Sequence, residues 1–252
     1  MRIMSFNLLC GGPGIKEWYP RSPLVIRTIY KADPDTLGVQ EAHIGWIKAL
    51  RSCLPEYDYV GIGRNDGKED GEFSAVFYKK EKFDLLDSGS FWLSETPEKP
   101  GKGWDAACIR ICSWAKLREK ETGKVFVHLN THLDHRGKVA MQKGAQLAAA
   151  RGTAIAGDAP AFFTGDFNVT PDSAPYAAVL AGGFRDCRYV AADTDTGFTF
   201  HAYGNPEDPA SVIDYVFFKG DVSVKKFTVI RDEIDGQLPS DHYPICADVT
   251  WE

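Results

Sequence analysis

Ala161-Phe162-Phe163-Thr164-Gly165-Asp166-Phe167-Asn168 is an apolar run that stops abruptly in polar residues. Ala161–Thr164 reads as a buried strand and the residues from Gly165 onward as its end. On extended backbone Asp166 and Asn168 point to the same side, because side chains alternate with a period of two. A carboxylate beside an amide can orient and deprotonate a water while the amide fixes it. Gly, Asp and Asn also build ordinary turns, so this run alone decides nothing. The decisive feature is recurrence. Ser5-Phe6-Asn7, Val39-Gln40-Glu41, Asn130-Thr131-His132 and Ser240-Asp241-His242, the last preceded by Ile213-Asp214-Tyr215, repeat the pattern of a hydrophobic strand closed by a polar group. Together they supply the carboxylates, amides and imidazoles that hydrolysis of a phosphate ester on a hard metal ion requires.

The chain around these motifs is ordinary for a globular enzyme. Its 252 residues are enough for a sizeable core, 44% are apolar, and 25% are charged. A net charge of −6 argues against capture of long nucleic acid on a basic face. It does not exclude a phosphorylated substrate, because a bound divalent cation reverses the local sign of an acidic site. Six scattered cysteines do not make a disulfide scaffold, and Cys108-x3-Cys112 lacks the second pair of a zinc site. No run reaches the ~18 apolar residues of a membrane span. Met1 leads straight into the first strand without a signal-peptide pattern. A cytoplasmic location is expected if Met1 is the native start, and a periplasmic or secreted one if a leader has been removed.

Strands are expected at Arg2–Leu9, Thr36–Gln40, Ser74–Tyr78, Phe83–Leu86, Ile109–Leu117, Val125–Asn130, Ala161–Thr164, Val212–Phe218, Val224–Ile230 and Ile245–Thr250. Helices are expected at Ser22–Tyr30, His43–Leu54, Lys138–Ile155 and Ser173–Leu180, the last capped by Asp172 or Ser173. There is no repeat or linker, so residues 1–252 are expected to form one domain. Many strands, antiparallel hairpins among them, plus a few amphipathic helices predict a four-layer α/β/β/α sandwich: two mainly antiparallel sheets flanked by helices.

Each candidate residue has a functional reading and a plain one. Asn7 steadies a metal or phosphate oxygen, or makes an Asx turn ahead of the Gly11-Gly12-Pro13-Gly14 loop. Glu41 suits Mg2+ or Mn2+, or favours the dipole of the helix beginning near His43. His132 can donate to a phosphoryl oxygen, whereas His135, farther from the strand end, is expected to be peripheral. Asp214, an acid within an apolar strand, calls for a partner, and His242 provides one. Asp241 then points elsewhere, as a metal or water ligand. Glu72 could orient His132 in the same manner, or be an exposed loop carboxylate beside Glu69 and Asp70.

Taken together, Phe6-Asn7, Gln40-Glu41, Asn130-Thr131-His132, Gly165-Asp166-Phe167-Asn168, Ile213-Asp214-Tyr215 and Ser240-Asp241-His242 resemble the endonuclease/exonuclease/phosphatase superfamily, with its deoxyribonuclease-I-like fold. The likeness runs from Met4 to Pro244. The stretches Gly71–Lys79, Phe91–Ser94 and Trp104–Trp114 resemble a bacterial branch whose substrates are undefined. The resemblance implies a four-layer sandwich and divalent-metal-dependent phosphoester hydrolysis. It implies that Glu41 holds the metal with Asn7 and Asp241 near it, that Asp166 and Asn168 position the nucleophilic water, that His132 contacts phosphate, and that Asp214 pairs with His242. Glu72 falls where that branch places a carboxylate partner for His132. The basic segments typical of DNA-repair members are missing.

The expected function is therefore a Mg2+- or Mn2+-dependent phosphoesterase acting by in-line attack of water. Its substrate is a phosphorylated small molecule, a lipid head group or a nucleic acid. The alternatives are a nuclease or a non-catalytic binding module with the same fold. No stable protein partner is implied. The Gly- and Pro-rich segment from Phe91 to Asp105 reads as a long loop at the rim of the site, as does Phe200-His201-Ala202-Tyr203. From these, Trp104, Arg110 and His201 are expected to contact substrate, with the packing of Trp92 and Trp104 under the loop as the plain alternative.

Overall fold

The computed structural model describes residues 1–252 except Pro13 and Pro206, and the backbone alone of Ile15; Pro13, in the expected Gly11–Gly14 loop, thus lies outside the described residues. The chain runs β1 (Arg2–Asn7), α1 (Trp18–Ala32), β2 (Thr36–Ala42), α2 (Ile44–Cys53), β3 (Tyr57–Val60), β4 (Phe73–Lys79), β5 (Phe83–Trp92), β6 (Ile111–Glu119) and β7 (Val125–His132). It continues with α3 (Lys138–Ala156), β8 (Ala161–Asp166), α4 (Ala174–Ala181), β9 (Arg185–Asp186), α5 (Cys187–Val190), β10 (Asp193–Thr194), β11 (Asp214–Lys219), β12 (Val222–Val229) and β13 (Ile245–Trp251).

Two sheets result. One has the order β10-β12-β13-β1-β2-β4-β3 and the other β5-β6-β7-β8-β11-β9. Most neighbours are antiparallel, but β1/β2 and β7/β8 are parallel pairs, and so is the short β10/β12 edge. The first two pairs are joined by α1 and α3 respectively, so each sheet holds one βαβ unit. Parallel strands end on the same side of a sheet, and this brings the strand-end motifs together.

Three apolar layers hold the sandwich. Met4, Phe6, Leu37 and Val39 face outward onto Val25, Ile29, Trp46 and Leu50 of α1 and α2. Leu129, Phe163, Tyr215 and Phe217 face the opposite outer side, against Ala145, Ala148 and Val179 of α3 and α4. Between the sheets lie Ile3, Val76, Phe126, Phe162, Val216, Ala247 and Val249. Successive residues such as Ile3 and Met4 thus serve different layers, as strand alternation requires.

The inter-sheet layer turns polar toward the site. Gln40 Nε2 donates to Ser5 Oγ at 3.1 Å and to Asn130 Oδ1 at 2.7 Å, and Thr164 Oγ1 donates to the same oxygen at 3.0 Å. Asn130 Nδ2 donates to the carbonyls of Val39 and Ala75 across the gap. Gly38 is required there, because a Cβ would lie inside contact distance of Thr164 Oγ1 and Asn130 Oδ1. Each buried bond adds only about 0.5–1.5 kcal/mol, but an unmet group would cost about 1–3 kcal/mol, so the network fixes how the two sheets dock.

Several boundaries differ from expectation. The first helix begins at Trp18, not Ser22, although Pro20 and Pro23 argue against it; Pro23 cannot bond the Tyr19 carbonyl, and Ser22 Oγ donates to that oxygen instead at 2.8 Å. Phe91 and Trp92 end β5 rather than open a loop, because they pair with Cys112 and Ile111. Val212 and Ile213 precede β11, so Asp214 is its first residue and not an interior one. The short elements β3, β9, β10 and α5 had no sequence signal. All six cysteines are free, and no helix among the described residues is long and apolar enough to cross a membrane.

Candidate active site

Asn7 and Gln40 are neighbours at the end of the β1/β2 pair, and His132 and Asp166 are neighbours at the end of β7/β8. Asp214 pairs with Asp166 from the antiparallel side. His132, Asp166 and Asp214 therefore stand in one row across three strands of one sheet, while Asn7 and Glu41 face them from the other. The loop bearing Asp241 and His242 is tied in by Ser240 Oγ, which donates to the Asn7 carbonyl at 2.7 Å. Buried Arg21 of α1 clamps that loop to the end of β1, donating to Leu8 O at 2.7 Å and Pro239 O at 2.8 Å.

Glu41 owes its direction to backbone irregularity. The β2/β4 register shifts between Val39 and Ala42, and Glu41 has φ +57°. A left-handed conformation costs a side-chain-bearing residue about 1–2 kcal/mol, and such bulges re-aim side chains near functional sites. Asn168, at φ +53°, is the second residue held this way. Glu41 Oε2 accepts from Cys10 N at 2.9 Å, and Oε1 accepts from Asn7 Nδ2 at 3.1 Å.

Asp166 is the hub. Its Oδ2 accepts from Asn7 Nδ2 at 2.9 Å, and its Oδ1 from the Asn168 backbone N–H at 2.9 Å. The Nε2 atoms of His132 and His242 flank Oδ2 at 3.5 Å and 3.7 Å. Burial, reinforced by Asp214 and opposed by His242, pushes this carboxyl up to about 7. Asp241 is raised as well, by burial first and then by Glu41 against the pull of His242.

Asp214 Oδ2 accepts from His242 Nδ1 at 2.9 Å and from Thr199 Oγ1 at 2.6 Å. Burial disfavours a charged His242, yet Asp214, Asp166 and Asp241 outweigh it and hold this imidazole up to about 10. His242 is thus an imidazolium at neutral pH. His132 is the opposite: burial, then Arg110 and Arg64, drive it well below the ordinary imidazole range. Asn168 Nδ2 donates to Leu133 O at 3.0 Å and lies 3.0 Å from His132 Nε2. An amide donor at Nε2 places the single proton of the neutral ring on Nδ1.

A cleft of about 570 Å³ opens over this row. One side is acidic, with Glu41, Asp166 and Asp241, and the other is basic, with Arg64, Arg110, His132 and His135. Glu72, Phe200, Asp208, Ser211 and Ile213 also line it. Arg110 is 5% exposed, and its Nε and Nη1 have no hydrogen-bond partner; Nη2 lies 3.2 Å from His135 Nδ1, and Nε stands 3.8 Å from Asp134 Oδ2 in a looser ion pair.

The structure brings together Asn7, Glu41, Arg110, His132, Asp166, Asn168, Asp214, Asp241 and His242, with three of the expectations displaced. Glu72 is in the cleft but does not hydrogen-bond His132. Its oxygens accept both Arg64 Nη groups, at 2.7 and 2.9 Å, and its Oε2 stands 4.0 Å from His132 Nδ1. Trp104 does not line the cleft; it sits on a loop at φ +50°, its backbone N–H bonded to the Glu95 carboxylate. His201 is turned away, with Nδ1 accepting from Tyr203 N at 3.2 Å and its ring 4.2 Å from that of Tyr243. Asn7 departs in a subtler way. Its amide nitrogen faces the carboxylates while its oxygen accepts from Leu9 N at 2.9 Å, so it positions the acids rather than offering an oxygen to a cation.

Sequence reasoning missed Arg64, Thr199 and Arg21, and it set aside His135. None ends a strand. Arg64 lies in Gly61-Ile62-Gly63-Arg64-Asn65-Asp66-Gly67, whose glycines signal a tight loop but not where its side chains go.

The geometry gathers carboxylates, imidazoles and guanidiniums in one cleft, and comparison supplies the family, whose members are hydrolytic. The sequence profile of the Endonuclease/Exonuclease/phosphatase family matches residues 4–242, and the chain belongs to that family. A solved endonuclease/exonuclease/phosphatase from Bacteroides vulgatus superposes with a TM-score of 0.94 at 38% identity, covering 100% of this chain and 98% of that one. A mannosyl-6-phosphatase from Bacteroides thetaiotaomicron gives a TM-score of 0.92 at 35% identity, with 100% of both chains covered. Protein angel of Drosophila melanogaster is 28% identical over 166 residues, 63% of this chain and 46% of that protein. The chain spans less than half the length of the curated relatives it matches.

Proposed function

We propose that residues 1–252 act as a single-domain, divalent-cation-dependent phosphoester hydrolase that attacks phosphorus directly with water, and that its substrate is a phosphorylated small molecule. Family membership supports the hydrolase class. The observation that supports the mechanism best is the row His132–Asp166–Asp214 with His242 behind it, facing Glu41 and Asp241 across the cleft.

The donor set fits a hard cation. Glu41, Asp166 and Asp241 are oxygen donors; burial raises Asp166 and Asp241, Asp214 adds to the first and Glu41 to the second, and a cation relieves such repulsion. Glu41 and Asp241 are the residues that would hold it. Bound there, Mg2+ or Mn2+ would neutralise charge on the phosphoryl and leaving oxygens.

The remaining work belongs to the protein's side chains. Asp166, its two oxygens held by Asn7 and Asn168, accepts the proton of the attacking water; a carboxyl near 7 is suited to that at neutral pH. His242, kept charged and oriented by Asp214, offers its imidazolium to the phosphoryl oxygens. Thr199 fixes Asp214 from behind. Arg110 presents two unpartnered N–H groups to the same oxygens, and a guanidinium fork matches that geometry. No nucleophilic side chain is involved and no covalent intermediate forms.

The mannosyl-6-phosphatase at 35% identity favours a phosphorylated sugar among small molecules. The net charge of −6 disfavours a long polyanion, which sets the nuclease alternative second. Phosphate release from a panel of sugar phosphates and from oligonucleotides, with Mg2+ or Mn2+ and again in excess chelator, tests the reading. Turnover of sugar phosphates that stops in chelator is expected. No turnover of any phosphoester, or full turnover in chelator, would overturn it.

A further inference from the structure

Two features on the basic side of the cleft, His132 Nδ1 and the Arg64–Glu72 pair, remain unused by this mechanism. The Nδ1 of His132, which bears the ring proton, has no hydrogen-bond partner, although Glu72 Oε2 is only 4.0 Å away. A buried donor left unmet is costly, so something must account for it. Glu72 is held off by Arg64, whose two Nη atoms grip both carboxylate oxygens. Arg110 stands on the other flank with Nε and Nη1 unmet, lowered by burial first and by the nearby charge of Arg64 second. Arg64 is thus paired with Glu72, Arg110 has only the longer 3.8 Å approach of its Nε to Asp134 Oδ2, and the two guanidiniums repel each other.

The Arg64 backbone cannot follow its side chain. Its N–H donates to Glu72 O at 3.1 Å, and its carbonyl accepts from Trp92 Nε1 at 2.7 Å. Asn65 N also donates to Asp70 O at 3.1 Å, closing the loop on itself. Only the guanidinium and the Glu72 carboxylate are free to exchange partners, and the gap to His132 is about one ångström beyond a hydrogen bond.

We propose that Arg64 and Glu72 form an anion-operated latch on His132: a phosphoryl group arriving between Arg64 and Arg110 takes the Arg64 guanidinium, and the released Glu72 accepts from His132 Nδ1–H. Arg64 is therefore a substrate-phosphate ligand masked in the free protein, and Glu72 is a positioning residue that acts on His132 only after substrate arrives. A terminal phosphate, with three non-bridging oxygens and two negative charges, competes for Arg64 better than a diester does. The inference rests on the proposed phosphoesterase reading for its biological meaning but not for its test.

The test is a double-mutant cycle on inorganic phosphate binding, followed by NMR of 15N-histidine-labelled protein with chelator present. In the latch Glu72 competes with phosphate for Arg64. Glu72→Gln should tighten phosphate binding about tenfold in the wild-type background, and Arg64→Met should weaken it about as much. The gain from Glu72→Gln should then largely vanish in Arg64→Met, because the competitor has nothing left to hold. Phosphate should also move the His132 Nδ1 resonance in wild type but not in Glu72→Gln. Arg64→Lys, which keeps the charge but not the fork, should fall between, and thermal melts confirm that each variant is folded. An equal Glu72→Gln effect in both backgrounds would leave only charge repulsion and overturn the latch, as would an unmoved His132 resonance. In turnover, Arg64→Met should raise KM more than it lowers kcat, and Glu72→Gln should lower kcat. An intact cycle in a protein that hydrolyses no phosphoester would leave the latch standing and remove the enzymatic reading; turnover with an additive cycle would do the reverse.

Discussion

The acidic and basic sides of the cleft are built by different means. Asn7, Glu41 and Asp166 are the last residues, or nearly so, of strands whose order and direction are fixed by two βαβ units. Arg64 and Glu72 hang on a loop between β3 and β4, and Arg110 just precedes β6. On the acidic side every oxygen of Asp166 and Glu41 has a donor. On the basic side Arg110 and His132 keep unmet N–H groups. Under the proposed function the strand-built side would hold the cation, and the loop-built side would supply donors to the anion.

That contrast is strongest for Glu41. Removing its charge takes away the acid that two residues of distorted backbone aim into the site. Glu41→Gln should lower turnover by about 10³-fold or more while thermal stability is kept or improved, because the backbone conformation is unchanged and repulsion among the acids falls. Metal affinity measured by calorimetry should fall with it. Near-normal activity with unchanged cation affinity would place the cation elsewhere.

Asp214 and His242 belong to the acidic side but act on its charge balance. Asp214→Asn should lower kcat by about 10²–10⁴-fold, as expected for disabled acid–base machinery. His242→Ala should add little in that background, because a single 2.9 Å bond makes the two one unit. Multiplicative losses in the double variant would show that they work independently.

The same division explains what could be read from sequence. The four layers, the two sheets and the row of strand-end acids and histidines were legible, because alternation, apolar runs and abrupt polar ends are local properties of a strand. Asp214–His242 was legible as well, since an acid beside an apolar strand demands a partner. Arg64, Thr199 and Arg21 were not, because their positions are set by loops and a helix that meet the site only in three dimensions. Trp104 and His201 were misplaced for the same reason: adjacency to a motif in sequence did not put their side chains in the cleft. Glu72 lies in the cleft as expected, but in the free protein it holds Arg64 rather than His132, and Arg64 gave no signal in the sequence.

The polar inter-sheet layer gives a pH dependence. His128 is fully buried, its Nε2 2.9 Å from Thr164 Oγ1, and burial drives it down to about 3. Its folded pKa lies below the unfolded value near 6.5, so the unfolded chain takes up the proton first as pH falls. The contribution to stability is complete above about pH 6.5 and is lost progressively as pH drops toward 3. The limiting slope is about 1.4 kcal/mol per pH unit. His128→Leu leaves the Thr164 hydroxyl its acceptors Leu129 O and Asn130 Oδ1, and it should flatten the wild-type decline by that slope in urea denaturation between pH 6.5 and 4.5. Parallel curves for the two proteins would mean that His128 is not kept neutral.

The two tryptophans expected at the rim give the smallest effects and the finest test of the contrast between regions. Trp92 is buried at the end of β5, and its indole N–H is the bond that anchors the Arg64 carbonyl. Its ring also lies beside Gly67 in the same loop, so it reaches the basic side of the cleft through Arg64. Trp92→Phe keeps most of the apolar volume and removes that bond, for a loss of about 1 kcal/mol in stability. With its carbonyl free, Arg64 should hold its position less well, and KM should rise about three- to fivefold with kcat little changed. Trp104 is half-exposed and does not line the cleft. Trp104→Ala should shift KM by no more than about twofold for a sugar phosphate and for a small generic phosphoester alike, because no contact to either is made. A KM increase confined to the sugar phosphate would bring the loop of Trp104 over the bound substrate and would restore it to the substrate-reading side of the site.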